Sequence, residues 1–421
     1  MRFITLFLFL LVSGFALAQS VPPPLTAEDA ATLAIKNNPR LSGAARDVVA
    51  AQSGVRSARA LTNPNFVFAP GITSISGSGD ELTLSQPLEL NGTRSARGGI
   101  AGAQLRIAQA EAIVELRNLV FNTKSAYYQL VQARELQSLS RDTLHVAQEF
   151  DRLTRRLVEL GKRPGIELLQ TGIEVARAEQ QVTLADSQEV ISRAALDTLL
   201  GRPADTAIAS VSPLTPLSET VDVTPLLQQA LSMRAEIAGA QATQDTFRQE
   251  ARLARAEGRP DRTPQMRVGS LIRGVPDANS GNGFGVGLAI TLPIFDYGSR
   301  RNRVRQAEEA ARAQSDRITG TQNQVRQEVT QAVARLRAAQ SVTQNYQQSL
   351  LDRARRLLDA SRTGFQEGQT GILVILDAQR TYRTVQTDYI NALVNLALAR
   401  AELEHAAGTV PASLLPPRRP K

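Results

Sequence analysis

Cysteine and tryptophan are absent from this chain of 421 residues, and it has only two histidines and three methionines. Without thiols there are no disulfides, no thiolate metal sites and no lipid carried on an N-terminal cysteine. With so few soft ligands, a resident soft-metal site is not expected. Aromatic residues make up only 4% of the chain, and four of the twelve phenylalanines (Phe3, Phe7, Phe9, Phe15) lie in the first fifteen positions. The rest of the chain relies on Ala, Leu, Val, Gln and Arg, the composition of long packed helices and not of an aromatic-rich globule. Beyond residue 18 no run approaches 18 uninterrupted apolar residues, so no later transmembrane helix is expected. Catalytic signatures are missing as well. There is no GxSxG, HExxH or P-loop pattern, and His145 and His405 read as isolated helix-surface residues, so no enzyme is expected.

The formal net charge is +8 and the pI about 10.2. Nucleic acid is nevertheless not an expected partner, because aromatic residues do not interleave with the basic ones and the N-terminus reads as an export signal. MRFITLFLFLLVSGFALA has one positive residue, an apolar run and the small-x-small ending Ala16-Leu17-Ala18. This predicts a cleaved signal peptide over residues 1–18 and an exported protein. The arginines are scattered along helical segments, as on solvated faces.

The chain contains a duplication. SQPLELNGTR at 85–94 returns as TLPIFDYGSR at 291–300, with Pro87, Gly92 and Arg94 matching Pro293, Gly298 and Arg300 at an offset of 206. NPRLSGAA from Asn38 matches RAEIAGAQ from Arg234 at 196, and Pro64 matches Pro260 at the same offset. Gly161 and Gly201 match Gly368 and Gly408 at 207. The expected organisation is a first repeat over 19–212, a second over 213–408, and a Pro/Arg-rich tail over 409–421.

Each repeat begins with short helical segments, TAEDAATLAIKNN or TPLLQQALSMR, followed by a longer one. A region of alternation comes next. In GFGVGLAITL the residues Phe284, Val286, Leu288, Ile290 and Leu292 alternate with Gly, Ala and Thr over ten positions, the length of a membrane-spanning strand with one lipid face and one lumen face. A GxGxxG dinucleotide loop fails because Val286 interrupts the spacing. Weaker strands are expected over 65–72, 81–86 and 265–272. The turn-rich linkers 73–80 and 274–282 would join each pair into a hairpin and face the cell exterior. Four strands cannot close a barrel, and an open edge in a bilayer leaves backbone groups unpaired at several kcal/mol each, so other subunits must complete it.

After each junction comes a tract without proline, 94–160 or 300–366. Apolar residues recur every three or four positions, as in the stripe Val325, Val329, Ala332, Leu336, Ala339, Val342, Tyr346, Leu350, Ala354 and Leu357. About 65 helical residues span roughly 100 Å. Each tract turns at ELGKRPG or QEGQTG, and a second helix returns to Gly201 or Gly408, giving a long hairpin suited to a coiled-coil-like wall. Pro87 and Pro293 end strands because proline cannot extend the ladder, and Gly92 and Gly298 permit the swing from strand into helix. Phe295 and Tyr297 sit where an interfacial aromatic belt belongs. Arg94, Arg97, Arg300, Arg301, Arg303 and Arg305 follow at helix starts, where cations oppose the macrodipole. Either an anionic lipid surface or plain solvation would accommodate them.

The duplication together with SQPLELNGTR, LPIFDYG and GFQEGQTGILVILDAQR resembles the TolC-like outer-membrane efflux proteins over essentially the whole mature chain. QPLELNGTR, with Glu89 before the glycine, looks most like the CzcC-type branch, associated with heavy-metal cation efflux by proton-driven pumps. The usual pattern there is closer to QPLELGGKR, from which Asn91 and Thr93 depart. The resemblance implies a fold that is mainly α with a transmembrane β part: a homotrimer whose four strands per chain form a 12-stranded β-barrel, continued by a long periplasmic α-helical barrel. It also implies outer-membrane lipid around the barrel, a periplasmic membrane-fusion adaptor and an inner-membrane RND-type pump. No cofactor and no metal site are implied. In this family acidic residues narrow the periplasmic entrance. Asp377 falls on one such position, Val374 on another, and Thr370 on that of a gate arginine. Gly161 and Gly368 match turns expected to meet the adaptor. Organic toxicants or secreted polypeptide would also fit such a duct, and a soluble periplasmic scaffold is the alternative outside the channel class.

Overall fold

The computed structural model describes residues 24–69, 81–204, 206–208, 211–216, 221–269, 284–293 and 295–409. The expected signal peptide, both turn-rich linkers and the tail from 410 lie outside the described residues.

The element order repeats. First come α1 (Ala27–Asn37), α2 (Pro39–Arg59), β1 (Asn65–Ala69), β2 (Glu81–Ser85), α3 (Thr93–Glu159) and α4 (Ile166–Leu199). Then follow α5 (Val223–Met233), α6 (Ala235–Ala256), β3 (Asp261–Gly269), β4 (Phe284–Thr291), α7 (Ser299–Asn345), a π-helical turn over Tyr346–Leu350, α8 (Leu351–Gln366) and α9 (Ile372–Ala406). Thr26 opens α1 with a reciprocal capping box: its hydroxyl oxygen accepts from the Asp29 N–H at 3.1 Å, and the Asp29 carboxylate accepts from the Thr26 N–H at 3.2 Å. At 67 residues α3 is roughly 100 Å long.

The helical tract from Ser299 to Gln366 runs on through the π-turn. One expectation about the second repeat is refined, because the apolar stripe is buried in the single chain only in part: Val325, Val329, Ala332 and Leu336 are enclosed, but Val342, Leu350 and Leu357 are exposed. Five turns of a straight helix take about 18 residues, which carries the face of Val325 to Thr343 and not to Val342. Thr343 is indeed buried, and past the π-turn Ala354, Ser361 and Phe365 are.

The strands form one antiparallel sheet in the order β1-β2-β3-β4, so β2 and β3 join the repeats and β1 and β4 are its edges. β3 begins at Asp261, four residues before the expected Gln265, and includes Pro264 opposite Leu288. The Pro264 carbonyl accepts from the Gln86 N–H at 3.1 Å on the β2 side. An N–H at Pro264 would point to that same side, where β2 has already ended, so proline costs no bond to β4.

Beside the sheet each repeat has its own core. Tyr127, Leu130, Val131, Leu196 and Leu200 anchor the first, and Val325, Val329, Val333, Leu336 and Leu396 the second. Asn38 and Arg234 hold equivalent posts between the short helices, and both are buried. Asn38 donates through Nδ2 to the Leu199 carbonyl at 2.8 Å, and Arg234 through Nη1 to the Ala406 carbonyl at 2.9 Å, each closing the end of its return helix. Arg234 also pairs with Glu236 at 3.1 Å and Glu328 at 2.8 Å, and Glu236 is shared with the buried Arg117. Burial alone would raise the Glu236 pKa, but the two guanidiniums outweigh it and hold it down to about 2. His405 is not the surface residue expected from the sequence. It packs against the Phe121 ring, its Nε2 lies 2.9 Å from Asn118 Oδ1, and burial beside Arg117 and Arg234 lowers its pKa to about 4. The other histidine, His145, is exposed. Lys124, its side chain only 3% exposed, ties α1 to α9 through Glu28 at 3.2 Å and Glu404 at 2.7 Å. Burial pulls its pKa down, yet the two carboxylates more than reverse this and the net shift is upward.

Candidate functional site

The register sorts the sheet into two unlike faces. Following the paired residues across the strands, Phe66 and Phe68 share a face with Leu82 and Leu84, Met266 and Val268, and Phe284, Val286 and Leu288. The other face carries Thr83 and Ser85, Thr263, Gln265 and Arg267, and Gly285, Gly287 and Ala289. Phe66, Phe68, Phe284, Val286, Leu288 and Ile290 are all exposed in the single chain. A sheet with one apolar and one small or polar face divides lipid from a water-filled lumen. Its two edges provide backbone donors and acceptors for further strands.

Both strand-to-helix passages are built alike. β2 stops at Ser85 and β4 at Thr291, each two residues before its proline, Pro87 or Pro293. Gly92 and Gly298 precede α3 and α7 with φ of +97° and +84°, the left-handed region that side chains disfavour. An Asx side chain tightens each turn. Asn91 Oδ1 accepts from the Thr93 N–H at 3.1 Å, and Asp296 Oδ1 from the Gly298 N–H at 3.0 Å. Phe295 is 82% exposed and Tyr297 97%, so both project from the surface.

Several of the six arginines at the helix starts have partners within the chain. Arg94 donates to the Arg59 carbonyl at 2.6 Å, Arg97 makes a two-pronged pair with Glu89 at 2.5 and 2.7 Å, Arg300 lies 3.4 Å from Asp296, and Arg303 2.6 Å from Glu257. Gly258 makes room for Arg300, whose guanidinium would clash with a Cβ there. Only Arg301 and Arg305, of the six, are left exposed without a partner among the described residues.

At the far end the two hairpin turns are fastened to each other. Gly161 and Gly368 adopt φ of +67° and +76°. Arg163 donates through Nη2 to the Phe365 and Thr370 carbonyls, both at 3.2 Å, and its guanidinium lies 4.6 Å from the centroid of the Phe365 ring. Glu167 lies 3.6 Å from Arg163. Sequence reasoning missed Arg163, which the pattern marked only as part of a helix break. Asp377 is exposed near the start of α9, has no ion-pair partner among the described residues, and shares a helix face with the exposed Leu373 and Val374. One turn on, Arg380 pairs instead with Glu174 of α4. Thr370 sits in the turn itself against Gly364. The structure thus gathers Gly161, Gly368 and Asp377 toward one end and the two proline-glycine junctions with Phe295 and Tyr297 toward the other. Among the described residues no group of three His, Asp or Glu side chains is arranged to hold a metal, and no described helix is long and apolar enough to cross a membrane.

Comparison with known proteins accords with this geometry. A family described as "Outer membrane efflux protein" matches residues 30–202 and 226–409. The chain belongs to that family. Its members are passive outer-membrane channels, so this efflux-family chain is a transport protein and not an enzyme. The cobalt-zinc-cadmium resistance protein CzcC of Cupriavidus metallidurans is 26% identical over 91% of this chain and 90% of its own length. The outer membrane protein TolC of Escherichia coli is 25% identical over 70% of this chain and 62% of its own. Among solved structures, the outer membrane protein VceC of Vibrio cholerae superposes with a TM-score of 0.76 at 21% identity, covering 91% of this chain and 96% of its own.

Proposed function

We propose that three copies of this chain form the exit duct of a tripartite efflux assembly. The observation that carries this reading is the four-stranded sheet, apolar on one face and open at both edges. Three such sheets joined edge to edge make twelve strands, and closure removes the unpaired edges that a bilayer would penalise. The long hairpins α3–α4 and α7–α9 then continue the barrel as a helical tunnel on the periplasmic side, with Phe295 and Tyr297 at the membrane boundary. The two fastened turns at Gly161 and Gly368, flanked by the exposed Leu160, Ile166 and Leu169, form the end that meets a periplasmic adaptor coupled to an inner-membrane proton-driven pump. The cargo is heavy-metal cations, by likeness to the cobalt-zinc-cadmium resistance protein and to the nickel-cobalt-cadmium resistance protein NccC, 25% identical over 78% of this chain. The chain is a conduit for these ions, and selectivity belongs to the pump. Deleting the gene should sensitise cells to cobalt, zinc or cadmium without changing their tolerance of organic toxicants. The opposite pattern would move the cargo to the drug class.

The sheet reading is tested by a pair of arginine substitutions. Leu288→Arg places a cation on the apolar face at about 2 to 4 kcal/mol, whereas Ala289→Arg projects from the other face into water. Trimer yield in the outer-membrane fraction should fall more for the first, and equal losses would refute the assigned faces. At the entrance, three copies of Asp377 focus a negative potential on a narrow opening. Asp377→Asn should reduce cation preference in planar bilayers at low salt while assembly is kept, and should lose this effect near 1 M salt, where the Debye length is about 3 Å. An unchanged preference would remove Asp377 from the gate.

A further inference from the structure

We propose that α2 of one copy packs against α7 of the next, with Asp316 seated over Gly43 between Arg40 and Arg46, so that the seam between copies repeats the seam between the two repeats of one chain. The proposal rests on the trimeric-channel reading and names the contact that joins its subunits. Within the chain, α6 leads into β3, β3 pairs with β2, and β2 leads into α3. The two helices that flank this strand pair pack along each other. The edges of the sheet are halves of the same kind of unit: α2 leads into β1, and β4 leads into α7. Joining β1 of one copy to β4 of another therefore sets α2 beside α7.

Side chains lock the seam within the chain. Glu236 of α6 pairs with Arg117 of α3, and Asp245 with Arg106 at 3.0 Å. Gly239 lets α6 approach α3, because a Cβ there would lie 3.2 Å from the Ala110 Cβ, and Gly99 makes room for the Gln249 side chain. At the repeat offset of 196, the α6 residues Glu236, Gly239, Asp245 and Gln249 correspond to Arg40, Gly43, Val49 and Ser53 on α2. At the offset of 206, Gly99, Arg106, Ala110 and Arg117 correspond to Arg305, Arg312, Asp316 and Asn323 on α7. In the single chain these counterparts are uncovered. Arg40, Val49 and Ser53 are exposed, a Cβ on Gly43 meets nothing within 4 Å, and the α7 residues are all exposed. Not one residue of α2 is buried.

Charge favours the same pairing. Asp316 takes the place of Ala110 and so comes opposite Gly43, which leaves room for its carboxylate. Arg40 and Arg46 lie three residues to either side of Gly43, on one face of α2. Among the described residues, none of Arg40, Arg46 and Asp316 has an ion-pair partner within the chain. A carboxylate between two guanidiniums on a covered seam supplies one. Arg312 comes opposite the exposed Val49, along which its stem can lie. The seam within the chain puts acids on α6 and bases on α3, whereas here the bases at the Gly43 contact are on α2 and the acid is on α7, so the two seams are not interchangeable.

The chain has no cysteine, so a designed pair reports without background. Gly43→Cys combined with Asp316→Cys in the full-length protein, oxidised mildly in outer-membrane fractions, should run as covalent dimers and trimers on a non-reducing gel and as monomer after reduction. Gly239→Cys with Ala110→Cys should close within one chain and stay monomeric. Gly43→Cys with Asn323→Cys, about two turns along α7, should stay reduced. Without any oxidation, Asp316→Arg should lower the trimer yield at least threefold, and adding Arg40→Asp and Arg46→Asp should restore it. Intact trimers in which the Gly43–Asp316 pair stays reduced while the intra-chain pair closes overturn the seam and leave the channel reading standing. Equal cross-linking of the off-register pair, or a trimer yield that Asp316→Arg does not change, overturns it as well. If the wild-type chain forms no trimer, the channel reading falls and the seam with it.

Discussion

Asn38 and Arg234 occupy the same place in the two repeats and close the same helix end, yet one is neutral and the other belongs to a buried ionic network. Asn38 satisfies the Leu199 carbonyl and caps α2 through the Arg40 N–H at 2.9 Å, and no charge is involved. Arg234 satisfies the Ala406 carbonyl but then needs Glu236 and Glu328 as counter-charges, and Glu236 in turn binds Arg117 of α3. One backbone task can thus be met by an amide or by a guanidinium. The guanidinium makes the second repeat dependent on every member of its network, because a buried charge that loses its partner is more costly than a lost neutral hydrogen bond.

The largest expected effect breaks that contrast directly. Glu236→Ala leaves Arg117 buried without a carboxylate, and should cost roughly 3 kcal/mol or more. Asn38→Ala removes one hydrogen bond and one cap, about 1 to 2 kcal/mol. The two should be compared by denaturant or thermal midpoints in the same detergent. If Asn38→Ala proved the more damaging, the ionic network would not be what holds the second repeat.

Next in size is the pair of glycines just beyond the return helices. Gly201 and Gly408 have φ of +69° and +72°, so alanine costs about 1 to 2 kcal/mol at either. A Cβ at Gly201 would also lie 2.6 Å from the Asn37 backbone oxygen, whereas at Gly408 it would meet the Arg234 side chain at 3.3 Å. Backbone cannot yield as a side chain can. Gly201→Ala should therefore lower the thermal midpoint more than Gly408→Ala, and equal shifts would mean that α1 moves to accommodate the methyl.

Smallest near neutral pH, and growing only on acidification, is a pH dependence carried by the second repeat. The His405 pKa is lowered to about 4 from an ordinary 6.5. Below pH 6.5 the unfolded chain takes up a proton here that the folded chain refuses, so stability is full above that pH and falls as pH drops toward 4. Thr198, the equivalent in the first repeat, does not titrate. His405→Gln should flatten the midpoint-versus-pH curve between pH 6.5 and 4, and an unchanged curve would place the sensitivity elsewhere.

The duplication, the long hairpins, the alternating strand at residue 284 and the two proline-glycine junctions could be read directly from the chain, because each follows from local chemistry. Proline ends a ladder, glycine tolerates positive φ, and period two or period 3.6 marks a face. The same local logic failed where the answer depended on what lies across the interface. Val342 continues an apolar spacing, yet the accumulated rotation of a straight helix passes the buried position to Thr343. His405 looked like a surface residue because nothing nearby in sequence reveals Phe121 and Asn118, nearly 290 positions away. Arg163 looked like part of a helix break until the second turn came to rest beneath it. The six arginines at the helix starts were visible in the sequence, but only the fold divided them into four with partners within the chain and two with none among the described residues. Sequence determined which segments form and which face each would bury, since backbone sterics and residue spacing act over a few positions. Tertiary structure decided which charges are paired, since a charge finds its counter-ion through space and the partner can come from any part of the chain.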